Sequence, residues 1–307
     1  MIFSNIPFRR VLVPVDFSEP SRKAVNYGLI LAERLQAHLI LAHIIPESSA
    51  LTYAFPSETR KIEREQFEKA SRAIDDLVAS QHAAKVKVQK IVKVGHIEEE
   101  LLRIVKDGSV GLVIMGTHGR RPWTRWFIGS VTERILRRVP VPLLTVSHSE
   151  AGQHLIDAVG LKRILYATDL TESAPMGLRF AIDLARSTGA QLTVMHSVDD
   201  LDRMLWGPSL LTHLPAEQAK MVGELRSRLD ELIAGERTQA VQIEPLIVEG
   251  KPFQKIVEVA ESGNMDMIVL NLQSKSMLDR ALIGSTAERV VRHARVPVLS
   301  LPVPAGI

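Results

Sequence analysis

No cysteine occurs anywhere in the 307 residues, which excludes disulfides, thiolate metal sites and cysteine nucleophiles together and suits a reducing compartment. Long apolar runs are missing as well, since none reaches the ~18–20 residues that a membrane-spanning helix requires. Met1 to Arg10 lacks a basic start followed by an apolar core. The expectation is therefore a cytoplasmic, soluble chain with no membrane contact. Nor is there much excess of one charge. Lys and Arg number 38 against 35 Asp and Glu, a net of +3, too small a surplus for a protein that wraps nucleic acid electrostatically. What remains is ordinary: 46% hydrophobic and 24% charged residues, enough for a packed core and too apolar for a disordered chain. Domains cluster at roughly 100–150 residues, so two are the prior at this length.

Arg10 to Val15 is a short apolar run ending in Asp16, and a helical pattern follows with Val25, Leu29, Ala32 and Leu35 on one face. A second apolar run covers His38 to Ile45, and the charged stretch Ser57 to about Ser80 predicts a long amphipathic helix. Strand patterns at Val86 to Val94 and Gly111 to Met115 flank a helix ending near Asp107. A last helix begins near Gly129, and Val141 to Val146 closes the unit as a fifth strand. Strands alternating with helices of this length predict an α/β fold, a parallel sheet with helices on both faces.

The same order then repeats. Asp169 answers Asp16 at an offset of 169 − 16 = 153, with Leu178, Ile182 and Ala185 on the helix behind it. Gly250 answers Gly95, Gly284-Ser285 answers Gly129-Ser130, Glu288-Arg289 answers Glu133-Arg134 and Pro297 answers Pro142, all at an offset of 155. Two unrelated α/β domains would not keep the spacing of so many landmarks, so the pattern indicates a duplication. The predicted domains are 1–150 and 157–307, joined through the polar stretch Ser147 to His154.

Gly116 and Gly119 follow a buried strand, and Gly129 and Ser130 open a helix, giving Gly-x2-Gly-x9-Gly-Ser. Phosphates need backbone N–H groups that approach without side-chain obstruction, and a helix N-terminus adds unpaired donors and the positive end of its dipole. Ser130 adds a hydroxyl, while Val131 and Thr132 begin the helix. A turn and an ordinary helix cap would use the same residue types; the full spacing after a strand favours the phosphate.

Here the chain resembles the universal stress protein A family, whose members often bind ATP through this same loop. The resemblance runs twice over almost the whole length. It also rests on Val11-Leu12-Val13-Pro14-Val15-Asp16, Leu41-Ala42-His43-Ile44, Val94-Gly95, Val113-Ile114-Met115-Gly116-Thr117-His118-Gly119 and Val139-Pro140-Val141-Pro142. It implies two tandem Rossmann-like domains of the adenine nucleotide alpha hydrolase-like kind, each a five-stranded parallel sheet. It also implies a bound ATP with Mg²⁺, Asp16 on the nucleoside, Pro14 and Ile44 lining the base pocket, and Met115 flanking the ligand. Gly116, Gly119, Gly129, Ser130 and Val131 would then hold the phosphates. An Asp at a strand end is by itself more often a cap than a ligand; the loop beside it reverses that judgement, because ligands in open α/β sheets sit at the carboxyl ends of strands.

The second half departs from the pattern, with Asn271 and Ser274 for Gly116 and Gly119 and Ala167 for Pro14. A Cβ there obstructs close approach and penalises left-handed backbone angles. A degenerate second site is expected, with Asn271, Gln273 and Ser274 left as a polar loop that still has donors for an anion. Arg120, Arg121, Trp123, Arg125 and Trp126 lie within the nine-residue spacer; so short a patch fits the nucleotide's own phosphates or a protein contact better than nucleic acid. His43, His96 and His118 lack paired ligand spacing, so no metal site is expected.

Three functions compete. The leading one is a cytoplasmic, nucleotide-dependent regulator of stress responses, not an enzyme, acting on an unidentified protein partner. An ATP-consuming enzyme is second, with slow hydrolysis left open, but Pro14 to Ser21 holds neither a Ser-Gly-Gly-x-Asp-Ser nor a His-x-Gly-His signature. A nucleotide-free interaction module is third, and the intact first loop argues against it. Val141 to Val146 and Val298 to Leu301 are expected to pair as apolar edge strands, making an internal pseudo-dimer of the halves; a homodimer of chains is the weaker expectation.

Overall fold

The computed structural model describes residues 8–47, 56–79, 86–117, 128–147, 161–198, 215–236, 240–272 and 285–302. They divide into two compact units, one within residues 7–148 and the other within 149–307.

In the first unit the chain runs β1 (Arg10–Pro14), α1 (Glu19–Leu35), β2 (His38–Pro46), α2 (Pro56–Ala79), β3 (Val88–Gly95), α3 (Ile97–Asp107), β4 (Leu112–Gly116), α4 (Ser130–Arg138) and β5 (Leu143–Val146). Its strands lie in the order β3-β2-β1-β4-β5, and all four pairings are parallel. Parallel strands covered on both faces read as unbroken apolar runs. Val11, Leu12 and Val13 of β1 are accordingly all fully buried. Right-handed crossovers put α1 and α2 on one face and α3 and α4 on the other, because the order reverses direction after β3.

Local chemistry sets the first helix. Ser18 caps α1 by accepting from the Ser21 N–H, Glu19 meets the positive end of the dipole, and Pro20 lies in the first turn, where no N–H is needed. The predicted face is the buried one, with Val25, Leu29 and Ala32 all inside. Several boundaries shift by a residue or two, among them the start of β3, at Val88 and not Val86, and that of β5. Strand β5 starts at Leu143, not Val141, since Pro142 has no N–H for a ladder; its carbonyl still accepts from the Val113 N–H at 3.0 Å.

The second unit repeats the plan with β6 (Arg163–Ala167), α5 (Ala174–Thr188), β7 (Gln191–Val198), α6 (Pro215–Ala234), β8 (Ile243–Glu249), α7 (Pro252–Ser262), β9 (Met267–Leu272), α8 (Ser285–His293) and β10 (Val298–Pro302). Its order, β8-β7-β6-β9-β10, is that of the first unit, and again every pairing is parallel. The likeness reaches the backbone. Phe17 and Leu170 both take left-handed angles, with φ of 65° and 58°, directly after the aspartate. Helices α2 and α6 end at Ala79 and Ala234, an offset of 234 − 79 = 155.

Candidate functional site

Strands β1 and β4 are neighbours, yet the chain leaves them toward opposite faces, and that divergence opens a crevice at their carboxyl ends. A cleft of about 1020 Å³ occupies it. Pro14 and Asp16 at the end of β1, Ile44 on β2 and Met115 and Gly116 on β4 line it, with Gly129, Ser130 and Val131 at the start of α4. The structure thus brings together eight of the nine residues singled out in the sequence. The ninth, Gly119, lies outside the described residues, as do His118, Arg120, Arg121, Trp123, Arg125 and Trp126.

Asp16 is held in a tight turn. Its Oδ1 accepts from the Ser18 N–H at 3.0 Å and from the Ser18 hydroxyl at 2.5 Å, which supports the left-handed Phe17 between them, an angle that is costly for a bulky residue. His43 braces the same turn, its Nδ1 lying 2.6 Å from the Val15 carbonyl oxygen and its ring against Phe17 at 4.8 Å. The aspartate is therefore presented to the cleft by a loop tied down from two sides.

Gly116 has no room for a side chain. A Cβ there would sit 2.7 Å from Pro20 Cβ and 2.9 Å from the Pro20 carbonyl. Its φ is not positive, so of the two expected roles left-handed geometry is not used, while close approach is, here to the chain's own backbone: the amino end of α1 packs flush on the end of β4. Thr132 then ties α4 to the same point, its hydroxyl donating to the Gly116 carbonyl at 2.9 Å. The first helical bond of α4 runs from the Glu133 N–H to the Gly129 carbonyl, and no side chain caps the helix. The N–H groups of Ser130, Val131 and Thr132 therefore have no partner within α4, and their residues line the cleft. A glycine cap with bare amides, next to a strand end without side chain, suits an anion. Among the described residues no group of three or more His, Asp or Glu is placed to hold a metal ion, and no helix is long and apolar enough to cross a membrane.

The sequence pattern of the universal stress protein family matches residues 7–147 and again 160–302. The chain belongs to the universal stress protein family. Universal stress protein Rv2623 of Mycobacterium tuberculosis is 25% identical over 296 residues, covering 94% of this chain and 95% of that protein. Universal stress protein MJ0531 of Methanocaldococcus jannaschii is 31% identical over 149 residues, 47% of this chain and 83% of its own. Among solved structures, a universal stress protein from Archaeoglobus fulgidus superposes with a TM-score of 0.72 at 21% identity, over 96% of this chain and 99% of that one. That last likeness supports the fold.

In this universal stress protein the second unit carries different side chains at the positions that line the cleft of the first. Asn271, at the place of Gly116, donates through Nδ2 to the Ser173 carbonyl at 2.8 Å and to its hydroxyl at 3.2 Å. Those donors are thereby committed to the fold; Gln273, Ser274 and Gly284 lie outside the described residues. Room for Asn271 comes from Gly177, which answers Ala24: a Cβ on Gly177 would overlap Asn271 Oδ1 and lie 2.5 Å from the Tyr166 hydroxyl. Burial raises the Tyr166 pKa far above the ordinary phenol value, so Tyr166 stays neutral and donates to the Ala174 carbonyl at 2.9 Å. Met221 and Leu225 of α6 stand at the offset of Gln66 and Ala70, two cleft residues of the first unit, and pack with Val198, Leu170 and Ile247. Ala287 replaces Thr132 and cannot tie down its helix. Sequence reasoning did not assign Pro20, the His43 ring or the Thr132 hydroxyl to the site. Only the identity of Thr132, two residues after Ser130, was a usable signal.

Proposed function

We propose that this universal stress protein is a nucleotide-dependent regulator that binds one ATP per chain in the cleft of the first unit, with Mg²⁺ bridging the phosphates. The observation that carries the reading is the uncapped amino end of α4 beside Gly116. Backbone donors and dipole converge there on a crevice that falls at the upper end of the ~300–1,000 Å³ range usual for small-molecule sites. Asp16 and the apolar Pro14, Ile44 and Met115 supply a wall fit for a nucleoside. Mg²⁺ in nucleotide sites commonly rests on phosphate oxygens and water with one or two carboxylates, and Asp16 is the single carboxylate among the described lining residues.

A regulatory role fits better than a catalytic one. The described lining holds no carboxylate pair, and the Asp16 Oδ1 is already engaged by Ser18. Occupancy would instead act through the elements that meet at the cleft, α1, α2 and α4, which carry the signal to a protein partner. The test is to denature the purified protein and run the supernatant on an ion-exchange column. Recovery of ATP near one equivalent supports the reading. Protein that carries no nucleotide and takes up none when incubated with ATP and Mg²⁺ would leave the nucleotide-free interaction module as the better account.

A further inference from the structure

The nucleotide reading leaves two side chains of the cleft unused. Arg22 in α1 and Lys69 in α2 both line it. Arg22 donates Nε to the Phe17 carbonyl at 3.3 Å, and neither side chain has an acidic partner among the described residues, whereas the adjacent Lys23 is paired with Glu19 at 3.3 Å. Helices α1 and α2 share one face of the sheet and α4 lies on the other, so these two cations stand across the cleft from the amides of α4. Groups that attract an anion thus occur on two separate walls. A nucleotide with phosphates at its 5′ end alone, seated on α4, would turn uncharged base and ribose toward Arg22 and Lys69.

The second unit serves as an internal comparison. At the same offsets Pro175 replaces Arg22, Glu224 replaces Lys69 and Arg228 replaces Ala73. Formal charge at these positions, with the paired aspartate, goes from +1 (Arg22, Lys69, Asp16) to −1 (Arg228, Glu224, Asp169). Neither Arg22 nor Lys69 has a cationic counterpart in the second unit, where the one cation of the set, Arg228, stands instead at the place of Ala73, and where the Asn271 amide donors are committed to Ser173.

We propose that Arg22 and Lys69 hold a second anionic group, so that the cleft takes a nucleotide bearing phosphate on its ribose as well as at its 5′ oxygen. The proposal rests on the nucleotide reading given above. A guanidinium fork and an ammonium make charge-assisted hydrogen bonds to phosphate, and because both side chains are exposed their contribution is screened by salt.

Calorimetric titration with AMP, adenosine 3′,5′-bisphosphate and ATP, on wild-type protein and on the double variant Arg22→Gln/Lys69→Gln, tests it. The bisphosphate should bind the wild type about tenfold tighter than AMP. That ratio should fall to about one in the double variant and shrink for the wild type at raised salt, as screening demands. Equal binding of AMP and bisphosphate by the wild type, or an advantage that survives the double substitution, overturns the second anion site. If ATP still binds in either case, the nucleotide reading stands without it; if none of the three binds, both fall.

Discussion

Gly116 and Gly177 are glycines for the same kind of reason in opposite settings. In the first unit the space beside the strand end belongs to the backbone of Pro20; in the second it belongs to the side chains of Asn271 and Tyr166, and the helix yields instead. Cores resist added methyl groups, at a typical cost of about 1–3 kcal/mol. Gly116→Ala should therefore lower stability by about that amount and weaken nucleotide binding as well, because α1 must move off the cleft. Gly177→Ala should cost about as much stability and leave binding unchanged. Urea unfolding midpoints and a nucleotide titration on both variants check the contrast. Sequence spacing pointed to Gly116 and to close approach as well as left-handed angles; the angles are not used, and the neighbour that approaches, Pro20, was illegible because that contact spans nearly a hundred positions. The exchange among Asn271, Gly177 and Tyr166 was illegible for the same reason.

Elements were legible where one period dominated. The strand and helix order of both units, the amphipathic face of α1 and the helix start at Gly129 all followed from apolar spacing and cap residues, whereas the start of β5 shifted because Pro142 breaks the ladder. What spacing does not report is how paired helices are held. Glu98 of α3 meets Arg138 of α4 at 2.5 Å and Arg134 at 4.0 Å. In the second unit Phe253 takes the position of Glu98, with the Arg289 guanidinium 5.0 Å from the centre of its ring and the His293 ring at 5.9 Å. An ion cluster has become an aromatic one. Burial lowers the His293 pKa, and the charges of Arg292 and Arg289 lower it further. A depressed folded-state value means the unfolded chain binds more protons below the ordinary histidine pKa, so this contribution is whole above pH ~6.5 and is lost as pH falls. Wild-type protein should thus lose thermal stability between about pH 7.5 and 5.5, and His293→Gln should lose measurably less over the same interval. Equal losses would remove His293 as a cause.

At the scale of the whole molecule, the two units keep one plan and differ in the residues at the corresponding strand ends, and the proposed site falls in the first. The sequence showed the missing glycines of the second half; the structure adds two differences that glycines do not reveal. Met221 and Leu225 stand where the first unit has Gln66 and Ala70 and pack with Val198, and Asn271 donates to Ser173 at the start of α5 instead of leaving a donor to a ligand. Either alone would weaken a site. If the first site binds at micromolar affinity, the whole interaction amounts to about 8 kcal/mol, so loss of two charge-assisted hydrogen bonds at ~1.5–3 kcal/mol each pushes a site toward the millimolar range. Titration of the full chain should give one ATP per chain. Gly119→Val, which breaks the Gly-x2-Gly-x9-Gly-Ser spacing proposed to hold the phosphates, should remove most of that binding. Asn271→Ala should leave affinity and stoichiometry as they are, while costing about 1–2 kcal/mol of stability through the lost bonds to Ser173. Two equivalent sites, or binding that survives Gly119→Val and disappears with Asn271→Ala, would move the working cleft to the other half and with it the regulatory role argued for α1, α2 and α4.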